Sequence, residues 1–125
     1  MRLSLILAGL FGASAVAIGA VSAHADLSEY GRTLVDKGVL YQFIHTLAIV
    51  ATAAFGVEKS KLLLVAQALF TLGILLFCGS LYSLGFAETR LFGNSAPLGG
   101  TSFILGWLFL AAYGFMYARP RPSQP

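Results

Sequence analysis

Hydrophobic and polar positions divide this chain into four long uncharged stretches separated by short charged ones. Between Arg2 and Asp26 lie 23 uncharged residues, between Lys37 and Glu58 lie 20, between Lys61 and Glu88 lie 26, and between Arg90 and Arg119 lie 28. A helix needs about 20 mainly apolar residues to cross a hydrocarbon core of roughly 30 Å. Each stretch meets that length, so the pattern predicts an all-α, integral membrane four-helix bundle. Its spans run over about residues 3–25, 38–57, 62–84 and 97–118, within a single transmembrane domain covering 1–118. The tail from Arg119 onward, Arg-Pro-Arg-Pro-Ser-Gln-Pro, is basic and proline-broken, and is expected to be disordered over 119–125.

The second stretch, Gly38–Gly56, is the most instructive. At helical spacing Gly38, Tyr41, Gln42, His45, Ala48, Thr52 and Gly56 share one face, while Val39, Leu40, Phe43, Ile44, Leu47, Val50 and Phe55 cover the rest. A helix apolar around most of its circumference, with one small and polar stripe, fits a membrane bundle with the stripe turned inward. Helix three carries Gln67, Thr71, Cys78 and Tyr82 at comparable spacing. Helix four opens near Pro97, with Asn94 or Ser95 before it as cap, and brings Gly99, Gly106, Trp107 and Gly114. The five residues Val57–Lys61 make helices two and three a tight antiparallel hairpin.

Residues 1–25 admit two readings. Met1-Arg2, an apolar run and Ala23-His24-Ala25 before Asp26 have the layout of a secretory signal peptide. Leu3–Val21, however, is longer than the roughly 7–15 residues of a signal core. It also carries small residues four apart: Gly9, Ala13 and Ala17 on one line, Ala8 and Gly12 on another. Such lines let helix backbones approach closely in lipid, so the segment is expected to stay as helix one. Asp26–Lys37 holds five of the thirteen charges, with Leu27, Tyr30 and Leu34 at helical spacing. It is expected to form a short amphipathic helix between helices one and two, capped by Asp26 or Ser28, either separate or running into helix two with a bend at Gly38, with a solvated loop as the alternative.

Composition changes this picture little. The chain has 125 residues, 58% hydrophobic and 10% charged, against about 25% charged in a soluble domain. The net charge of +3 lies in loops and tails, without the basic patch and interleaved aromatics of a nucleic-acid binder. Arg2, Lys59, Lys61, Arg119 and Arg121 fall on one side of the bundle and Arg32, Lys37 and Arg90 on the other. Five against three predicts that both termini are cytoplasmic. The single Cys78 lies inside a span and forms no internal disulfide.

Several short motifs together resemble the family of small membrane proteins catalogued as domain of unknown function 423, whose eukaryotic relatives are called transmembrane protein 256. They are Gly19-Ala20 with Ala23-His24-Ala25, Tyr41-Gln42 with His45 and Leu47-Ala48, Leu76-Phe77 with Gly79-Ser80-Leu81-Tyr82, and Pro97-Leu98-Gly99-Gly100 with Phe103 and Gly106-Trp107. Cys78 stands where serine is expected in the family pattern, which weakens any role for a hydroxyl there. The resemblance implies a four-helix protein of the bacterial plasma membrane and implies no activity. It also favours retention of helix one.

Candidate chemistry gathers toward one half of the bundle. His24 ends helix one, Tyr41, Gln42 and His45 open helix two, and Tyr82 closes helix three, so these five are the candidate polar pocket. Polar side chains in lipid also bond to one another simply to fix packing. Gly9, Gly12, Ala13, Ala17 and Gly106 are the candidate helix-packing positions. Two histidines raise the question of haem. Counting from Gly38, His45 lies about 10 Å deep at 1.5 Å per residue, while His24 sits near the surface. Axial ligands must face each other across one iron, so no cofactor is expected within one chain, although a histidine pair across a dimer stays open. No carboxylate lies inside a span to carry protons, and no acid completes a triad with Ser80, Ser83 and His45. The leading expectation is therefore a non-enzymatic packing, assembly or accessory subunit, embedded in the lipid bilayer as a homo-oligomer or within a larger membrane complex. The alternatives are a small-solute or ion pathway through a homo-oligomer, with its polar pocket around His45, and an accessory redox protein contacting quinone or haem through His24 and His45.

Overall fold

In the computed structural model, residues 1–91 and 93–117 are described, and their regular structure is all helical, with no strand among them. Helix α1 runs Arg2–His24, α2 Glu29–Phe55, α3 Lys61–Ala87 and α4 Ser95–Tyr117, and each is long and apolar enough to cross a membrane. The expected tail, 119–125, lies outside the described residues.

Helix α2 begins earlier than its uncharged stretch. Ser28 caps it, accepting from the Gly31 amide at 3.0 Å, and Glu29 sits in the first turn, where the helix dipole favours a carboxylate. The amphipathic segment expected between helices one and two is therefore no separate element but the opening turns of α2. The reason lies in the buried face. Gly31, Val35, Gly38, Gln42, His45, Ile49 and Thr52 are all buried, an unbroken line at three- and four-residue steps. The helix runs unbroken through Gly38. The place its Cβ would occupy is 2.7 Å from the Tyr82 ring, so its small size admits that ring.

The hairpin to α3 turns at Gly56, which takes a left-handed conformation with φ of 97° that a side chain would resist. A short 3₁₀ turn, Val57–Lys59, follows, and Ser60 receives the Leu63 amide at the start of α3. Midway, α3 loosens into a π-helical turn over Ile74–Cys78, where the Gly79 amide reaches back to the Ile74 carbonyl. This interruption has no signature in the hydrophobic pattern. Helix α4 opens with the Leu98 amide on the Asn94 carbonyl at 3.0 Å, which leaves Pro97 in the first turn, where its missing donor is tolerated.

Helix α1 packs chiefly on α2 and α4 on α3, so the α2–α3 hairpin forms the middle of the bundle. Ile49, Phe70, Ile74, Cys78 and Phe103 lie in its core. Close approach depends on small residues: Gly31 meets the Gly85 carbonyl where α2 crosses α3, and Gly106 admits the Phe70 ring where α3 meets α4. Of the candidate packing positions, Gly106 thus lies against Phe70, and Gly12 lies in ordinary contact range of Thr46. Gly9, Ala13 and Ala17 do not pack within the chain; they are exposed, and nothing lies within 4 Å of where a Gly9 Cβ would stand. The buried face of α1 carries Ser4, Ala8, Ala15 and Ser22 instead. Those four recur at four- and seven-residue steps, and the Ser4 hydroxyl finds a partner in Gln67 on α3, which the all-small line cannot offer.

Candidate functional site

Two polar clusters arise from adjacent turns of α2. The first centres on Gln42, which is 3% exposed. Its Nε2 donates to the Phe11 carbonyl at 2.7 Å and to Ser14 Oγ at 2.8 Å, both on α1. Its Oε1 accepts from the Tyr82 hydroxyl on α3 at 2.7 Å. One amide thus uses both donors and an acceptor to join three helices. A buried amide left unpaired would cost several times what each such bond contributes.

The second cluster centres on His45, three residues on. That step turns its ring away from α1 and toward α4. Trp107 donates its indole N–H to Nε2 at 3.1 Å, and Nδ1 lies 2.7 Å from the Tyr41 carbonyl. Indole nitrogen only donates and a carbonyl only accepts, so the two bonds together require the tautomer with hydrogen on Nδ1. The imidazole also stacks on Phe103, with centroids 3.6 Å apart and planes 13° apart. Phe77, in the π-helical turn, sits 4.9 Å from the Tyr41 ring. A hollow of about 440 Å³ opens beside these rings, lined by Tyr41, His45, Phe77, Phe103 and Trp107 among others.

Of the five candidate pocket residues, then, Gln42 and Tyr82 meet directly, and Tyr41 and His45 meet through backbone and ring. His24 joins neither group. It is exposed at the end of α1, beside Ala20, Val21 and Ala25. A metal on His45 would have to displace Trp107 from Nε2, because Nδ1 is committed to Tyr41. Among the described residues, no three of His, Cys, Asp and Glu gather as a metal-binding group.

Sequence reasoning passed over Trp107, Ser14 and Arg32. Trp107 had a signal: a lone indole N–H in an apolar helix requires an acceptor. Arg32 ties the end of α1 to α2, its guanidinium donating to the Ser22 and Ala25 carbonyls at 2.5 and 2.8 Å. Those carbonyls are unsatisfied by the helix itself, and a cation suits that end of the dipole. At the opposite end the Met1 amine pairs with Glu58 and holds that carboxyl below its usual range. The start of α1 therefore sits against the α2–α3 connector.

Fold and clusters together define a four-helix integral membrane protein whose polar side chains bond across its helices. The particular family follows from comparison with known proteins. A family described as Protein of unknown function (DUF423) matches residues 18–100. A UPF0382 membrane protein of Haemophilus influenzae is 38% identical over 113 residues, covering 88% of this chain and 90% of the relative. The UPF0382 inner membrane protein YgdD of Escherichia coli K12 is 35% identical over 113 residues, covering 87% and 86%. A UPF0382 membrane protein of Staphylococcus aureus is 33% identical over 121 residues, covering 94% and 99%. The chain belongs to this family of bacterial membrane proteins, and its place is the plasma membrane, crossed several times. No solved structure matches it.

Proposed function

We propose that the protein is a non-catalytic membrane subunit that acts by packing, with copies of itself or with a larger membrane complex. One observation carries this reading: the Gly9, Ala13 and Ala17 line faces away from its own bundle and is exposed along α1. In lipid, where apolar surface alone does not drive helices together, small residues at four-residue spacing favour close approach by a second helix. The inward polar groups support it as well, since Gln42 and His45 spend their hydrogen bonds on neighbouring helices. In this reading α1 belongs to the mature protein. Affinity purification from native membranes in mild detergent tests it: a stoichiometric partner or a homo-oligomer is expected, and a strictly monomeric, partner-free protein would overturn it.

The hollow beside His45 favours a second reading, a small-solute or ion pathway formed when several copies assemble. Flux measured in proteoliposomes separates the two, because packing alone predicts vesicles as tight as protein-free ones.

A further inference from the structure

Gln67 is the other buried amide of the bundle, 7% exposed on α3. Its Oε1 accepts from Ser4 Oγ on α1 at 2.9 Å. Unlike Gln42 it stops there: its Nε2 has no acceptor among the described residues. Exchanging the two ends of the amide would only leave Oε1 open in its place. That nitrogen is open to the hollows beside it. In lipid, where no water stands in, an amide donor left unmet is costly unless something outside the chain accepts from it.

Two hollows meet at this side chain, and Leu3, Leu64 and Gln67 line both. The outer one, about 510 Å³, lies at the end of the bundle beside the α2–α3 connector. Arg2, Lys59, Ser60 and Lys61 are on its wall. Glu58, the one carboxylate there, is already paired with the Met1 amine. The inner one, about 320 Å³, continues along the seam between α1 and α3, walled by Leu7, Ala68, Leu72 and Leu75. From Leu64 to Leu75 the helix rises about 16 Å, close to one leaflet's share of a hydrocarbon core roughly 30 Å thick.

Read inward from the end of the bundle, the seam offers cations, then a hydrogen-bond donor, then hydrocarbon. That order matches phosphate, ester carbonyl and acyl chain. We propose that this seam is a binding site for one anionic phospholipid. Its phosphate lies among Arg2, Lys59 and Lys61, an ester carbonyl accepts from Gln67, and one chain lies along Leu7, Leu72 and Leu75. The excess of cations over carboxylates selects an anionic headgroup over a zwitterionic one, since each basic residue near a membrane surface favours anionic lipid several-fold.

Native mass spectrometry of the delipidated full chain in detergent tests this, and orientation across a membrane plays no part there. The probes are phosphatidylglycerol, phosphatidylcholine with the same acyl chains, and inorganic phosphate. One phosphatidylglycerol is expected to bind before all others, at least about five-fold more tightly than phosphatidylcholine. Lys59→Gln and Lys61→Gln, both at exposed positions, should each cut that preference several-fold and leave phosphatidylcholine binding unchanged. Gln67→Leu should weaken both lipids alike and preserve their ratio. Equal affinity for the two lipids, a preference that survives both lysine variants, or phosphate alone competing the lipid away would each overturn the proposal. So would binding with no distinct first equivalent, the mark of a general lipid annulus.

Discussion

The Tyr82 hydroxyl donates to Gln42 Oε1 at 2.7 Å, and this one bond ties α3 to a side chain that already holds α1. Glutamine at the middle of an apolar helix is costly in lipid unless its amide is used fully, and Gln42 is used from two sides. Interhelical bonds of this kind contribute about 0.6 kcal/mol on average and up to about 1.7. Tyr82→Phe should therefore destabilise the detergent-solubilised protein by about 0.6–1.7 kcal/mol. Gln42→Leu, which also frees Phe11 and Ser14, should cost more. The double variant should be less destabilised than the sum of the singles. Strict additivity in that cycle would show that the bond is not made.

His45 and Trp107 form the corresponding link to α4. His45→Ala leaves a cavity and an orphaned indole N–H, whereas His45→Leu fills most of the space, so alanine should lower thermal stability further. Trp107→Phe keeps the ring and removes the donor, and should cost about as much as one interhelical bond, roughly 0.6 kcal/mol. All three should still insert into membranes. Variants of His45 that match the wild type in stability yet abolish a cellular phenotype would move His45 from packing to a functional role.

Gly99 and Gly9 make a matched pair for testing the packing. A Cβ at Gly99 would stand 2.4 Å from the backbone nitrogen of Phe77, which cannot swing aside as a side-chain tip can. Gly99→Ala should cost about 1–3 kcal/mol, the usual price of overpacking. Gly9→Ala, with open space around it within the chain, should leave the stability of the fold unchanged or slightly raised through helix propensity. It should act instead on association with a second helix, which it weakens. Chemical denaturation in mixed micelles reads both, and equal effects would contradict the placement of α1 and α4.

Retention of α1 is expected on physical grounds. Ser4 bonds to Gln67, Ser14 to Gln42, and Arg32 to the Ser22 and Ala25 carbonyls, so α1 is tied to the bundle near both ends and in the middle. Its removal would strip partners from two buried amides. Intact-mass measurement of the protein purified from membranes should include residues 1–25, and a mature chain beginning at Asp26 would refute this.

Both termini are expected in the cytoplasm, from five basic residues on that side against three on the other. A fluorescent reporter that matures only in the cytoplasm, fused after Pro125, should be bright. A reporter active only after export should be silent at the same position, and the reverse pattern would invert the topology.

Spacing of charges along the chain was enough to establish four apolar helices, because the hydrocarbon thickness imposes the same length on any span whatever its neighbours. The same holds for the hairpin at Gly56 and for Gln42 and His45 as inward-facing residues, since a polar group in an apolar helix has few places to go. Tertiary structure decided what periodicity does not encode. A helix carries several candidate faces, and which one is buried depends on the surface it meets. Thus Ser4, Ala8 and Ala15 are buried on α1 while Gly9, Ala13 and Ala17 are exposed, although the second line is the better small-residue motif. A hydrogen bond needs both ends placed to within a few tenths of an ångström, so Trp107 could be recognised as His45's partner only once α2 and α4 were side by side. The π-helical turn at Ile74–Cys78 shifts the register of α3 beyond it, where Tyr82 meets Gln42, while His24 stands apart because it is exposed at the end of α1.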